Sequence, residues 1–148
     1  MRSSTMDLPR SLNSLLERAD TLFGGNFIVS RLPDKSLRTL SRCIPPAHTC
    51  ARDGLRKLGL KPGERVATLM WNHHAHLECC FGVPAAGGVM HTFYLHLSPD
   101  ELGWIARDAQ DRFLIVDDLL LPLYRQFAHL HTFEQVIVFP FRERRCPR

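Results

Sequence analysis

Four short apolar runs recur along the second half of the chain at a nearly constant interval. They are Val66-Ala67-Thr68-Leu69-Met70, the run from Val89 to Phe93, Phe113-Leu114-Ile115-Val116, and Val136-Ile137-Val138-Phe139. Their first residues lie 23, 24 and 23 positions apart, and each gap holds a stretch of helical periodicity. That interval is the length of a right-handed strand–helix–strand crossover joining parallel neighbours. The runs are mostly apolar and do not alternate with polar residues, so both faces of the sheet are expected to be covered. The pattern predicts an open, doubly wound parallel α/β sheet. No solenoid motif recurs with the interval, so it reflects architecture and not a repeat array.

The helical gaps carry their own punctuation. Asn72 can cap a helix through His76, Leu77, Cys80 and Phe81, whose last turns are Pro84-Ala85-Ala86-Gly87-Gly88. Ser98-Pro99-Asp100-Glu101 is a helix start with a cap, a proline at the first position and a glutamate three residues after the cap. Leu102, Ile105, Ala106 and Ala109 continue it, and a third helix is expected over Leu119 to Leu130 with Pro122 in its first turn. Upstream, Ser11 can cap a helix whose apolar face holds Leu12, Leu15, Leu16, Ala19, Leu22 and Phe23, ended by Gly24-Gly25. Phe27-Ile28-Val29 and Leu37 to Leu40, separated by Pro33-Asp34-Lys35, read as a hairpin. Cys43-Ile44-Pro45-Pro46-Ala47-His48 reads as non-helical, because two prolines remove donors; helical spacing resumes with Ala51, Leu55 and Leu58 and closes at Gly59. The expected fold is therefore α/β: a partial doubly wound parallel sheet with flanking helices, preceded by an N-terminal helix and a short hairpin.

Charge and cysteine usage narrow the function classes. Lysine and arginine number 19 against 15 acidic residues, a net +4. Phe141 to Arg148 carries four arginines and one glutamate, or +3, which leaves the rest nearly neutral. The basic balance thus belongs to a tail, and no basic stripe interleaved with aromatics marks a nucleic-acid face. No apolar run approaches the length of a membrane span, and the N-terminus leads into no signal core. Five cysteines (Cys43, Cys50, Cys79, Cys80 and Cys146) are odd in number, with two adjacent in an apolar stretch. They read as reduced thiols of a cytoplasmic protein and not as a disulfide framework.

Few residues suggest chemistry. His73, His76, Cys79 and Cys80 could share a helical face and offer imidazole and thiolate ligands. The second half of a zinc-deaminase signature is missing, as is His-Glu-x-x-His, so buried small side chains are the plainer reading. Gly82-Val83-Pro84-Ala85-Ala86-Gly87-Gly88 imitates a phosphate loop, but Gly88-Val89 stands where lysine and serine or threonine are needed. A helix C-terminus turning into a strand is expected instead. Asp117-Asp118 follows a strand, where ligand sites of such sheets form, yet a helix-capping role is expected. His91 and His96 flank Tyr94 and read as loop residues without a paired carboxylate. No Gly-x-Ser-x-Gly elbow occurs. No catalytic, cofactor-binding or metal-binding residue is assigned from these patterns.

Several segments in order carry a resemblance. They are Pro62-Gly63-Glu64-Arg65-Val66-Ala67-Thr68-Leu69-Met70-Trp71-Asn72-His73, then His76-Leu77-Glu78, then Phe81-Gly82-Val83-Pro84-Ala85-Ala86-Gly87-Gly88-Val89-Met90-His91-Thr92. Together they resemble the N-terminal part of AMP-forming acyl-CoA synthetases of the adenylate-forming superfamily, in particular medium- and long-chain fatty-acid–CoA ligases. Leu15 to Ala19 with Leu22-Phe23-Gly24, Leu97 to Leu102, and Val116-Asp117-Asp118 through Leu123 fit the same pattern. The resemblance spans about residues 8 to 140. It implies a two-step ligase: a carboxylate attacks the α-phosphate of Mg·ATP, and coenzyme A then displaces AMP from the acyl-adenylate. Such chemistry depends on cations and donors aimed at developing charge.

The chain departs from that family in what it omits. The Ser/Thr/Gly-rich phosphate loop with its lysine, the adenine- and ribose-binding segments and the C-terminal domain have no counterpart here. Arg42 to Cys50 replaces a Thr-Tyr helix start, and Tyr94-Leu95-His96-Leu97 replaces Asn-Pro-Arg-Leu. The resemblance therefore implies residues 1–140 as an incomplete N-terminal subdomain of an AMP-binding domain and residues 141–148 as an unrelated basic tail. It implies ATP, Mg²⁺ and CoA as cofactors of the family, none for this chain alone. A truncated ligase, inactive alone, is expected. The alternatives are one part of a split ligase whose remainder lies on another polypeptide, or a non-enzymatic module binding a full-length paralogous ligase. From the truncation, Val136 to Phe139 is expected to form an unprotected apolar edge that makes the chain poorly soluble or partly molten.

Overall fold

The computed structural model describes residues 12–41 and 45–141. Its elements in chain order are α1 (Leu12–Phe23), β1 (Phe27–Arg31), β2 (Leu37–Ser41), α2 (Pro45–Lys57), β3 (Arg65–Leu69), α3 (His74–Ala86), β4 (Val89–Thr92), α4 (Pro99–Ala109), β5 (Phe113–Asp117), a 3₁₀ turn (Asp118–Leu120), α5 (Leu121–Phe127) and β6 (Gln135–Phe139). The cap expected at Ser11, the cysteines Cys43 and Cys146, and the basic tail from Arg142 onward lie outside the described residues.

The four recurring runs form one parallel sheet in the order β4-β3-β5-β6. Register places Arg65 beside Val89, Val66 beside Phe113, and Phe113 beside Gln135. The central strands are long-run apolar because they are covered on both sides. Val66 and Met70 join Leu55, Leu60, Ala75, Cys79, Val83 and Phe113 on the face of α2 and α3. Ala67 and Leu69 join Phe93, Leu102, Ala106, Leu114, Val116 and Phe127 on the face of α4 and α5. Helices on both faces make the sheet doubly wound, as the spacing predicts. Each fully buried side chain such as Leu102 or Val116 contributes about 1.5–3 kcal/mol of transfer free energy. The outer strands are covered less well than continuous runs imply. Val89 on β4 and Val136 and Val138 on β6 remain exposed; these outer strands each pair with one neighbour among the described residues.

Every residue of helix α3 is buried or half-buried, which marks a helix enclosed by protein. It packs against α2, α1, β1 and β4 as well as covering the sheet. Its C-terminus closes in the way expected of Gly87-Gly88: Gly87 adopts φ +94°, its N–H donates to Pro84 O, and the Gly88 N–H donates to Val83 O. Helix α4 carries the full capping box. The Ser98 hydroxyl accepts from the Glu101 N–H, and the Glu101 carboxylate accepts from the Ser98 N–H.

Three local expectations are corrected. Helix α2 begins at Pro45, not near Ala51, because prolines are tolerated in a first turn where N–H groups have no intrahelical partner. Helix α3 is capped by His73 and not Asn72. The helix expected over Leu119 to Leu130 is a 3₁₀ turn followed by a short α5 ending at Phe127, with Pro122 at its start. The apolar face of α1 is largely solvent-exposed at Leu12, Leu15, Leu22 and Phe23. The hairpin β1–β2 forms as expected, antiparallel from Phe27 opposite Ser41 to Arg31 opposite Leu37.

Candidate functional site at the carboxyl ends of the strands

The connection from β3 leaves toward β4 on one side, and the chain then returns past β3 to form β5 on the other. The strand order therefore reverses between β3 and β5, and open α/β sheets place ligands in the crevice beyond the carboxyl ends of such a pair. Leu69 lies beside Val116 in the register, so the residues just past β3 meet Asp117.

What occupies that crevice is a buried hydrogen-bonded arrangement. The Asp117 carboxylate accepts from the Trp71 N–H at 2.8 Å and lies 3.0 and 3.1 Å from His73 Nε2. Both side chains are essentially inaccessible. His73 Nδ1 accepts from the Ala75 N–H at 3.2 Å, as the cap of α3. Because Nδ1 is an acceptor, the ring proton sits on Nε2 and donates to Asp117. One imidazole thus joins the start of α3 to the end of β5. Phe141 stacks on the His73 ring with centroids 4.2 Å apart, Phe139 stacks at 5.4 Å, and the Phe141 N–H donates to the Asp118 carboxylate.

This overturns the capping role expected for Asp117-Asp118. The Asp117 side chain caps no helix; it closes the crevice, and Asp118 holds the segment after β6. No pattern in the sequence pairs His73 with Asp117 across 44 residues. Only the parallel register brings the two turns together.

Beside the crevice lies an open cleft of about 380 Å³ between β1 and the start of α3, lined by Ser30, Arg31, Asn72, His74, His76 and Cys80 among others. The Ser30 hydroxyl accepts from the His74 N–H, which fixes the hairpin to the helix. His76 Nε2 lies 3.1 Å from the Thr68 hydroxyl, and burial holds this imidazole below its ordinary range, with the nearby His73 adding to the effect. Cys79 faces the core, and burial pushes its thiol up to about 12, which makes it a poor ligand or nucleophile. The structure does not bring His73, His76, Cys79 and Cys80 together around one point; among the described residues no group of three or more His, Cys, Asp or Glu side chains is arranged to hold a metal ion.

His91 is likewise corrected. It lies on β4 and not in a loop, and its Nδ1 is 2.7 Å from the buried Asp111 carboxylate. His131 donates from Nε2 to the Asp111 carbonyl at 2.6 Å, so two histidines from separate elements hold one turn at the amino end of the sheet. Burial pushes the Asp111 carboxyl up, partly opposed by the bond to His91. Nearby, Arg112 bridges Glu64 and Glu134 and donates to the Gly59 carbonyl. His96 does lie in a loop, in edge contact with Tyr94. Among the described residues no helix is long and apolar enough to cross a membrane.

Comparison with known proteins gives these features a setting. The family model described as AMP-binding enzyme matches residues 49–142. A long-chain-fatty-acid–CoA ligase of Thermus thermophilus is 41% identical over 138 residues, covering 92% of this chain and 26% of that protein. A 3-methylmercaptopropionyl-CoA ligase of Ruegeria lacuscaerulensis is 38% identical over 125 residues, covering 83% of this chain and 23% of its own length. The anthranilate CoA ligase AuaEII, solved with anthranoyl-AMP, superposes with a TM-score of 0.74 at 26% identity over 94% of this chain and 27% of its own. A long-chain-fatty-acid–CoA ligase of Archaeoglobus fulgidus shares the fold, with a TM-score of 0.77 at 18% identity over 91% of this chain and 28% of its own. The chain thus spans about a quarter of the length of the relatives it matches. With the four parallel strands and their helices in the same arrangement, the chain belongs to the AMP-binding enzyme family and corresponds to the N-terminal part of its acyl-CoA ligases.

Proposed function

We propose that these 148 residues supply the N-terminal lobe of an AMP-forming fatty-acid–CoA ligase and do not carry out the reaction by themselves. The observation that carries this reading is the 41% identity with the Thermus long-chain ligase across nearly the whole chain, combined with coverage of only 26% of that enzyme. The family reaction joins a fatty acid to coenzyme A through an acyl-adenylate, with release of pyrophosphate and then AMP. We assign ATP, Mg²⁺ and CoA to parts of the enzyme outside this segment. The partner in this reading is the remainder of the ligase. Free thiols at Cys50, Cys79 and Cys80 accord with a reducing, cytoplasmic location.

The described lobe contributes scaffolding to such an enzyme. Its sheet supplies a rigid wall, and its carboxyl-end turns present Trp71 and Tyr94 to solvent while His73 and Asp117 fix the crevice shut. ATP–pyrophosphate exchange with medium- and long-chain fatty acids tests the proposal. The purified chain is expected to show no exchange. A chimera in which this segment replaces the matched segment of the Thermus ligase is expected to retain it. Fatty-acid-dependent exchange by the 148 residues alone would overturn the proposal, and so would a folded chimera without activity.

A further inference from the structure

The crevice between β3 and β5 is closed by a single turn of chain. Pro140 stops β6, and the next residue folds back over the strand ends. The Phe141 ring lies almost parallel to the His73 ring, 16° off plane and 4.2 Å away, and its N–H bonds to Asp118 at 3.2 Å. Beneath it the Asp117 carboxylate and His73 Nε2 are cut off from solvent, although they stand where sheets of this topology expose their ligand-binding groups. The covering residue itself is only half-buried, and it follows a strand that pairs with β5 alone among the described residues. The covered groups are therefore held by bonds from several turns, and their cover by the Phe141 ring, beside that of Phe139, and by one N–H shared between the Asp118 carboxylate and the Phe139 carbonyl.

We propose that Pro140-Phe141 is a strap that shuts the switch-point crevice, and that its release exposes the His73–Asp117 pair as a hydrogen-bonding donor and acceptor at the sheet's carboxyl end. The proposal does not depend on the ligase reading. In the closed form the pair serves the fold alone, capping α3 and holding the Trp71 turn. In the open form it offers an imidazole N–H and a carboxylate to whatever approaches the strand ends. Local opening of this kind draws on the weakest contacts of a structure, and one stacked ring with a single shared, half-buried N–H is such a contact.

Carbethoxylation of individual histidines by diethyl pyrocarbonate, followed by peptide mass spectrometry, reads the strap directly on the full chain. In the parent protein His73 is expected to react far more slowly than the exposed His96. Phe141→Ala is expected to speed His73 by roughly three- to tenfold, the factor a single aromatic contact supports, while His131 at the opposite end of the sheet stays unchanged. Phe141→Leu, which keeps apolar bulk without the ring face, is expected to fall between the two. If alanine loosens the whole domain and speeds both histidines, leucine decides: an increase confined to His73 supports the strap. No increase at His73, or an equal one at His131 in the leucine variant, overturns it.

Discussion

Replacing Asp117 by asparagine changes one atom and tests the geometry of the crevice. The carboxylate receives two donors, the Trp71 N–H at 2.8 Å and His73 Nε2–H at about equal distance from both oxygens. An asparagine has one oxygen and one amide nitrogen. With its oxygen toward Trp71, that oxygen still lies within reach of His73 Nε2, but its NH₂ then stands about 3 Å from the same Nε2–H, donor against donor and without an acceptor. With its oxygen turned to His73 alone, the Trp71 N–H faces the NH₂ and loses its acceptor. The third option moves the ring proton to Nδ1 so that Nε2 accepts, but Nδ1 then confronts the Ala75 N–H and α3 loses its cap. Every arrangement leaves one buried donor unsatisfied, which costs about 1–3 kcal/mol, and a lost cap costs about 0.5–2 kcal/mol. Urea unfolding followed by tryptophan fluorescence is therefore expected to show Asp117→Asn destabilised by about 1–3 kcal/mol at unchanged slope. In a double-mutant cycle with His73→Ala, the coupling is expected to exceed about 0.5 kcal/mol. A variant as stable as the parent, or strictly additive losses, would refute the hydrogen-bond assignment on which the closed crevice rests.

Three further outcomes follow from the packing and the titrating groups. At Gly103 a Cβ would stand 2.5 and 2.7 Å from Leu130 side-chain atoms, one of them its Cβ, so Gly103→Ala forces α4 from the turn after α5; a loss of about 1–3 kcal/mol is expected despite better helix propensity, with partial recovery in combination with Leu130→Ala. His76 is held below its ordinary value of 6.5, chiefly by burial, so the folded chain binds fewer protons than the unfolded one between that lowered value and 6.5; stability is expected to fall as pH drops through this window, and His76→Leu is expected to flatten the fall in urea titrations at several pH values. Val138 projects from the open edge strand β6, so Val138→Lys is expected to reduce self-association seen by sedimentation velocity without shifting the far-ultraviolet circular dichroism spectrum.

The family was legible before any fold was seen, because the segments from Pro62 to Thr92 keep their order and spacing, and the family comparison agrees with that reading. Helix ends were legible where a local side chain supplies the bond. Ser98 and Glu101 cap each other three residues apart, and Gly87 closes α3 within its own last turn. Where the cap depends on a distant partner, local reading chose wrongly. Asn72 is an ordinary cap residue, yet His73 takes the position because its second nitrogen is held by Asp117 from another strand. Pro45-Pro46 signalled a break, yet α2 begins at Pro45, because a first helical turn needs no donors there.

Strand spacing and apolar runs determined the doubly wound sheet, since crossover length and burial on both faces are properties of the chain itself. The tertiary structure alone decided which polar groups meet. The parallel register sets Asp117 against the turn after β3, and folding carries His91 to Asp111 and Phe141 onto His73. Such pairings depend on the alignment of strands tens of residues apart. Hydrophobic periodicity encodes that a strand is buried, but not which side chain stands across from its end.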